Sequence, residues 1–152
     1  MKPVQRAAFV PVEIQTETVL FRGHPMVSSL HPTTIEVTTE EHLTPRGDCI
    51  IGVGASKGCA GLSEPFKQAI RRRGSKVTFI LRAGEERFQF TAQGDPSLTL
   101  SHPRDIVIRK SRFTSDRTIA LGAAAAARDI PARLVACLRD PRTIGALEIQ
   151  VS

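Results

Sequence analysis

The segment GHPMVSSLHPTTIEV at residues 23–37 returns as GDPSLTLSHPRDIVI at residues 94–108, a constant shift of 71 positions. The glycine, the first proline and the His-Pro pair all recur in register. A second match, at a shift of 68, relates DCIIGVGA at residues 48–55 to DRTIALGA at residues 116–123. This pattern predicts an internal duplication, with repeats at about residues 12–82 and 86–151.

Each repeat also contains one helical pattern. Apolar residues at i, i+4, i+7 and i+8 mark one face of a helix in both halves. Ser63 and Pro65 are start signals for the first helix and Gly74 is its stop signal, while Asp129 and Pro131 precede the second helix. The two apolar sets are Leu62, Phe66, Ala69 and Ile70, and Ile130, Leu134, Cys137 and Leu138.

Each half therefore reads strand, strand, strand, helix, strand. Neither half could bury both faces of its own small sheet, so the halves should interlock about a pseudo-twofold axis. The expected fold is a single α+β domain over residues 1–152, a mostly antiparallel, β-barrel-like structure with two helices outside. The predicted strands are 12–22, 33–38, 48–53, 76–82, 86–93, 105–110, 116–121 and 146–151.

Composition limits the function classes. The chain carries 21 Lys and Arg against 15 Asp and Glu, a net charge of +6, which permits binding of RNA, ribosomes or small anions. Growth at high temperature is an alternative cause of this charge. Three cysteines without metal-ligand spacing, and no long apolar run, predict a cytoplasmic protein with no metal, no cofactor and no membrane contact.

The first candidate site is the transition from loop to strand at residues 41–52. His42, Asp48 and Cys49 could supply acid-base or nucleophilic groups if the protein is an enzyme, with Arg46 binding an anionic substrate. The alternative is structural: Asp48 accepts backbone hydrogen bonds in the turn, Arg46 pairs with it, and Cys49 is a small core residue.

The equivalent segment of the second half, residues 108–117, is cationic where residues 38–41 are polar and acidic. The two loops either pair as a structural latch, or the basic loop binds phosphate or carboxylate groups. Its anion-binding candidates are Arg109, Lys110, Ser111 and Arg117, and Lys57 near the first helix is a further candidate.

Arg71, Arg72 and Arg73 form the most concentrated basic run and end the first helix. Cations at this end of a helix complement its dipole, so a structural role is sufficient. The functional alternative is a nucleic-acid patch that contacts RNA or the ribosome. The paired His31 and His102 are expected to cap turns rather than to bind a metal.

Three strings together resemble the archaeal domain-of-unknown-function family 371: FRGHP at residues 21–25, EHLTPRGDCIIG at residues 41–52 and IVIRKS at residues 106–111. The resemblance extends from about Thr18 to the C-terminus and implies an archaeal, cytoplasmic protein, but no activity. The family pattern has Ala-Asp-Lys-Ala-Ala where this chain has Ala123 to Ala127, whereas Lys57 keeps the equivalent lysine of the first half.

Two hypotheses follow. The first is a basic protein that binds RNA, the ribosome or another polyanion, with strong salt dependence and no turnover. The second is a small enzyme acting on an anionic substrate in a cleft between the halves, which requires the candidate side chains to converge. A duplicated chain already has the symmetry of a homodimer, so a monomer or a homodimer is compatible with either.

Overall fold

The computed structural model describes residues 14–44 and 46–152. Its strands and helices follow the predicted order in both halves. The first half contains β1 (Gln15–Arg22), β2 (Thr34–Thr38), β3 (Ile50–Gly52), α1 (Glu64–Ile70) and β4 (Lys76–Ala83). The second contains β5 (Glu86–Gln93), β6 (Asp105–Arg109), β7 (Thr118–Ala120), α2 (Ala132–Leu138) and β8 (Ile144–Val151).

The strands form two four-stranded sheets, and each sheet takes two strands from each half of the chain. The first sheet has the order β1-β8-β4-β5 and is antiparallel throughout. The second has the order β3-β2-β6-β7, with an antiparallel centre and parallel outer pairs. The α+β class and the mostly antiparallel pairing are therefore confirmed.

The sheets do not close into a barrel within the described residues, contrary to the expectation from sequence. The edges of the two sheets meet through isolated bridges, Arg22 with Val53 and Gln93 with Leu121. Single hydrogen bonds, such as that from the Ser56 N–H to the Leu20 carbonyl, add to these bridges without extending them into a ladder. The reason is the length of β3 and β7, which have three residues each and end before a longer ladder can form.

The two helices differ at their N-termini, since a side chain caps α1 but not α2. Ser63 caps α1, and its hydroxyl accepts a hydrogen bond from the Phe66 N–H at 3.4 Å. Asp129 does not cap α2; its carboxylate accepts from the Ala126 N–H at 2.8 Å, in the short 3-10 turn that precedes the helix. No helix in the described part of the chain is long and apolar enough to cross a bilayer.

Most of the buried apolar side chains of both halves form one cluster. Phe21 belongs to this cluster, and its ring packs closely against two glycines. A Cβ at Gly52 would lie 2.1 Å from the ring, and a Cβ at Gly145 would lie 2.4 Å from it. In the second sheet, Ile35 and Val37 of β2 and Ile106 and Ile108 of β6 are buried. The alternate residues of these strands are largely polar and occupy the opposite face of the sheet.

Candidate anion-binding site

A polar hollow of about 430 Å³ lies on this second face, where β2 of the first half pairs with β6 of the second. We call it the sheet hollow. Both halves of the chain contribute to it. Its lining residues are His31, Thr34, Glu36, Cys49, Val107, Arg109, Phe113, Ser115 and Arg117.

The guanidinium of Arg109, at the end of β6, contacts two hydroxyl groups and one aromatic ring. Its Nε donates to the Thr118 hydroxyl at 2.8 Å and its Nη2 approaches the Ser115 hydroxyl at 3.4 Å. The exposed ring of Phe113 lies 4.9 Å from the guanidinium carbon. Burial, and then the charge of Arg117, lower the pKa of Arg109 from its usual range. An arginine remains charged despite such a shift.

Arg117 is anchored by a carboxylate. Its Nη1 donates to Asp105 Oδ2 at 2.9 Å, and Asp105 Oδ1 accepts from the Thr38 hydroxyl at 2.7 Å. Asp105 is buried, and its backbone N–H donates to His102 Nδ1 at 2.9 Å. These bonds fix one side of the Arg117 guanidinium and leave its side chain 42% exposed toward the hollow.

Glu36 lies between these charges, opposite Val107 in the β2–β6 ladder. Burial raises the pKa of its carboxyl to about 7, and the negative charge of Asp105 contributes to the same increase. Arg117, the Cys49 thiol and Arg109 act in the opposite direction. The carboxyl therefore gains and loses its proton near neutral pH.

Cys49 also faces the hollow, and its Sγ is 3.7 Å from Glu36 Oε1. Burial and the neighbouring Glu36 raise the pKa of this thiol to about 12. A thiol with this pKa is neutral at physiological pH and is a weak nucleophile, since the thiolate is the reactive form. The geometry favours Cys49 as a hydrogen-bond donor to Glu36.

The other residues of the first candidate site lie elsewhere. His42 and Arg46 are exposed, and neither is among the described residues that line the sheet hollow. Asp48 is half-buried, and its backbone carbonyl accepts from the N–H groups of Leu30 and His31 at 3.1 and 3.2 Å. Of the three candidate catalytic residues, only Cys49 is among those lining residues.

Three other anion-binding candidates already have partners within the protein. Lys57 Nζ lies 3.0 Å from Glu17 Oε2, and Lys110 Nζ lies 3.4 Å from Asp129 Oδ2. The Ser111 hydroxyl accepts from the Phe113 N–H at 3.3 Å. The hollow thus brings Arg109 and Arg117 together but does not include these three residues.

The described ion pairs do not form the latch that was one of the two alternatives for the acidic and basic loops. Glu40 pairs with Arg104 at 3.1 Å and Glu41 pairs with Arg22, so neither glutamate binds residues 108–117. The carboxylate that holds Arg117 is instead Asp105 from β6. The basic loop is consequently not neutralised by residues 38–41.

Arg71, Arg72 and Arg73 do not form a uniform patch. Arg71 is half-buried, and its guanidinium donates to the carbonyls of Leu98 and Thr99 at 2.7 and 2.6 Å. Arg72 and Arg73 are exposed. The structural interpretation fits Arg71, while the nucleic-acid interpretation remains a prediction for the other two.

Sequence reasoning missed Glu36 and Asp105. A signal for Glu36 was available, since an acid between Ile35 and Val37 in a strand lies on the face opposite the buried pair. The sequence pattern places Asp105 in a strand but gives no sign that it belongs to the site. Its partner Thr38 is known only from the register of β2 with β6.

The profile of one family, described as domain of unknown function (DUF371), matches residues 19–152. The chain belongs to this family. It is also 37% identical over 123 residues to an uncharacterised protein of the archaeon Methanocaldococcus jannaschii, covering 81% of this chain and 90% of that protein. All the charged residues of the sheet hollow lie within the family match.

Proposed function

We propose that this DUF371 chain binds a small molecule carrying a carboxylate or phosphate group in the sheet hollow. The observation that carries the proposal is the convergence of Arg109 and Arg117 on one hollow, each anchored on one side by a protein acceptor. An anchored, planar guanidinium loses little freedom on binding and matches a planar or tetrahedral oxyanion.

Glu36 couples this binding to protons. When Glu36 is ionised, it and Asp105 balance the charges of Arg109 and Arg117. When Glu36 is protonated, one net positive charge remains in the group. An anion therefore binds more tightly to the protonated form, and its binding raises the pKa of Glu36 further.

We also propose that the fold is a duplication about a pseudo-twofold axis, because several structural features recur at equivalent positions of the two repeats. The isolated bridges Arg22 with Val53 and Gln93 with Leu121 occupy positions related by the shifts of 71 and 68. Ser29 and Leu100, at a shift of 71, both have positive φ, 56° and 51°. Such an axis would pass near the β2–β6 pair, so that Glu36 of one repeat corresponds to Val107 of the other.

A second candidate function is an enzyme that acts on the same class of anion. The specific observation is the pKa of about 7 at Glu36, which suits a general acid or base at neutral pH. Once a bound anion is identified, its conversion is followed by NMR in the presence of wild-type protein and the E36Q variant. Turnover that is lost in E36Q supports the enzyme; binding without turnover supports the binding protein.

The binding proposal is tested by titrating the labelled protein with inorganic phosphate and with succinate at about pH 6 and pH 8, following backbone amide shifts. We expect saturable shifts around Glu36 and Arg117, and an affinity for succinate that falls by up to about tenfold between the two pH values. E36Q should remove most of this pH dependence.

The matched pair of variants is R117Q and R133Q, since Arg133 is an exposed arginine of α2 that is not among the described lining residues of the hollow. R117Q should weaken binding about fivefold or more, and R133Q by less than about twofold. Equal losses in the two variants, or shifts that do not saturate, would contradict a defined anion site.

A further inference from the structure

A larger groove of about 830 Å³ shares none of the described lining residues of the sheet hollow. It runs between the turn that joins α1 to β4 and the segment that follows β5. We call it the basic groove. Its lining consists of Arg73, Gly74, Ser75, Lys76, Thr91, Ala92, Gln93, Gly94, Asp95, Pro96, Ser97, Arg112 and Gly122.

Three cations from two separate segments line the basic groove. Arg73 and Lys76 are exposed. Arg112 keeps 63% of its side chain exposed although it donates to Gln93 Oε1 at 3.0 Å and lies 3.7 Å from Asp95 Oδ1. Asp95 also accepts from the N–H and the hydroxyl of Ser97. One carboxylate thus faces three cations, and the groove carries a net positive charge.

The groove continues beyond its main volume. A depression of about 170 Å³ shares Arg73, Gly74 and Ser75 with it and adds Arg72 and Ser152. Arg72 in turn lines a third depression of about 410 Å³, beside Pro65 and Gln68. We call these adjoining depressions the track; their cations are Arg72, Arg73, Lys76 and Arg112.

The shape of the track is fixed by close packing at one wall. Ser75 accepts from the Gly94 N–H at 3.1 Å through its carbonyl, and a Cβ at Gly94 would lie 2.0 Å from the Ile70 carbonyl oxygen. The Ser75 hydroxyl donates to the Ile70 carbonyl oxygen at 2.9 Å. The segment after β5 is thus held against the end of α1, and the groove is preformed.

We propose that the basic groove binds the phosphodiester backbone of a single-stranded nucleic acid. A row of separated cations along a track matches a chain with repeated phosphates better than it matches one compact anion. The described lining residues of the three depressions include no aromatic side chain. Binding consequently depends on phosphates rather than on base stacking, and it is insensitive to base sequence.

The test measures fluorescence anisotropy of a labelled oligouridylate with the full chain, between about 50 and 300 mM salt. Four phosphate contacts give a slope of log affinity against log salt of about −3. The variant R73E removes an exposed cation with no role in the core, and it should weaken binding about tenfold and make the slope shallower by about 0.7.

The control is R87E, which makes the same charge change on an exposed arginine of β5. Arg87 lies near the hairpin end of that strand, whereas Gln93 at the other end lines the groove. R87E should change the affinity by less than about twofold. R117Q, in the sheet hollow, should behave like R87E, so failure here is distinguishable from failure of the small-anion proposal.

Three results would overturn the nucleic-acid proposal. The first is the absence of binding at the lowest salt concentration. The second is an equal loss of affinity in R73E and R87E, which would indicate a response to net charge alone. The third is competition by uridine monophosphate with an affinity equal to that of the oligomer, which would indicate a site for a single phosphate.

Discussion

The hydroxyl of Thr38 donates a 2.7 Å hydrogen bond to Asp105, its direct partner across the β2–β6 ladder. Thr38 is 2% exposed and Asp105 is 8% exposed, so the bond is shielded from water. Because Asp105 also holds Arg117, this pair connects the buried centre of the second sheet to the sheet hollow.

We expect T38V to lower the free energy of unfolding by about 1–3 kcal/mol, since it leaves a buried carboxylate oxygen without its donor. Urea denaturation at neutral pH measures the change. The matched control is T91V, at an exposed threonine of β5, which should change stability by less than about 0.5 kcal/mol. Equal stability of T38V and the wild type would contradict the importance of this bond.

The pKa of Glu36 predicts a pH dependence of stability. In the unfolded chain this carboxyl titrates near 4.5 and in the folded chain near 7, so the folded state binds the extra proton between these values. The free energy of unfolding should therefore fall as pH rises from about 4.5 to 7, and the penalty should remain at higher pH, up to about 3 kcal/mol.

E36Q should remove this penalty. Relative to the wild type, it should gain stability at about pH 8 and gain little at about pH 4.5, as measured by urea denaturation at both values. E85Q, at an exposed carboxyl in the hairpin between β4 and β5, should follow the wild-type curve. A constant difference between E36Q and the wild type across this range would show that the carboxyl does not titrate as described.

The contact of Phe21 with Gly145 predicts strong coupling between these positions. G145A places a methyl group about where the Phe21 ring edge lies, at 2.4 Å from Cε2 and Cζ. We expect a loss of about 1–3 kcal/mol by overpacking. F21L removes those two ring atoms, so G145A should cost less in the F21L background, and a double-mutant cycle by urea denaturation measures the difference.

Arg71 and Arg72 should differ in their effect on stability despite their adjacent positions. R71A removes two hydrogen bonds to the carbonyls of Leu98 and Thr99 and should lower the free energy of unfolding by about 1–3 kcal/mol. R72A, at an exposed arginine, should change it by less than about 0.5 kcal/mol. Thermal unfolding of the two variants side by side tests the assignment; a larger loss in R72A would contradict it.

Much of the fold could be predicted because the same pattern of turn residues and apolar positions occurs twice in the sequence. The His-Pro pairs at residues 31 and 102 fix the strands that follow them, and the apolar faces around Phe66 and Leu134 identify the helices. The strand β5 has the predicted ends. The barrel was not correctly predicted, because the length of a ladder depends on where Ile50 and Thr118 begin to pair, and periodicity does not determine that.

The candidate site was predicted in part. Cys49, Arg109 and Arg117 were identified as neighbours in equivalent loops, and they line one hollow. His42 was grouped with Cys49 because it is close in sequence, yet it lies in an exposed turn. Glu36 and Asp105 were missed because their roles depend on the pairing of β2 with β6, whose residues are about seventy positions apart in the chain.

The exchange of strands between the halves has a consequence for the order of folding. β1 pairs with β8, so Gln15 meets Val151 only after β8 has been synthesised. During translation the first half therefore leaves the ribosome before β1 has its partner strand. Leu20 and its neighbours are not part of a sheet at that stage. Contacts of such long sequence separation slow folding. The nascent chain is therefore most exposed to aggregation while only its first half has emerged.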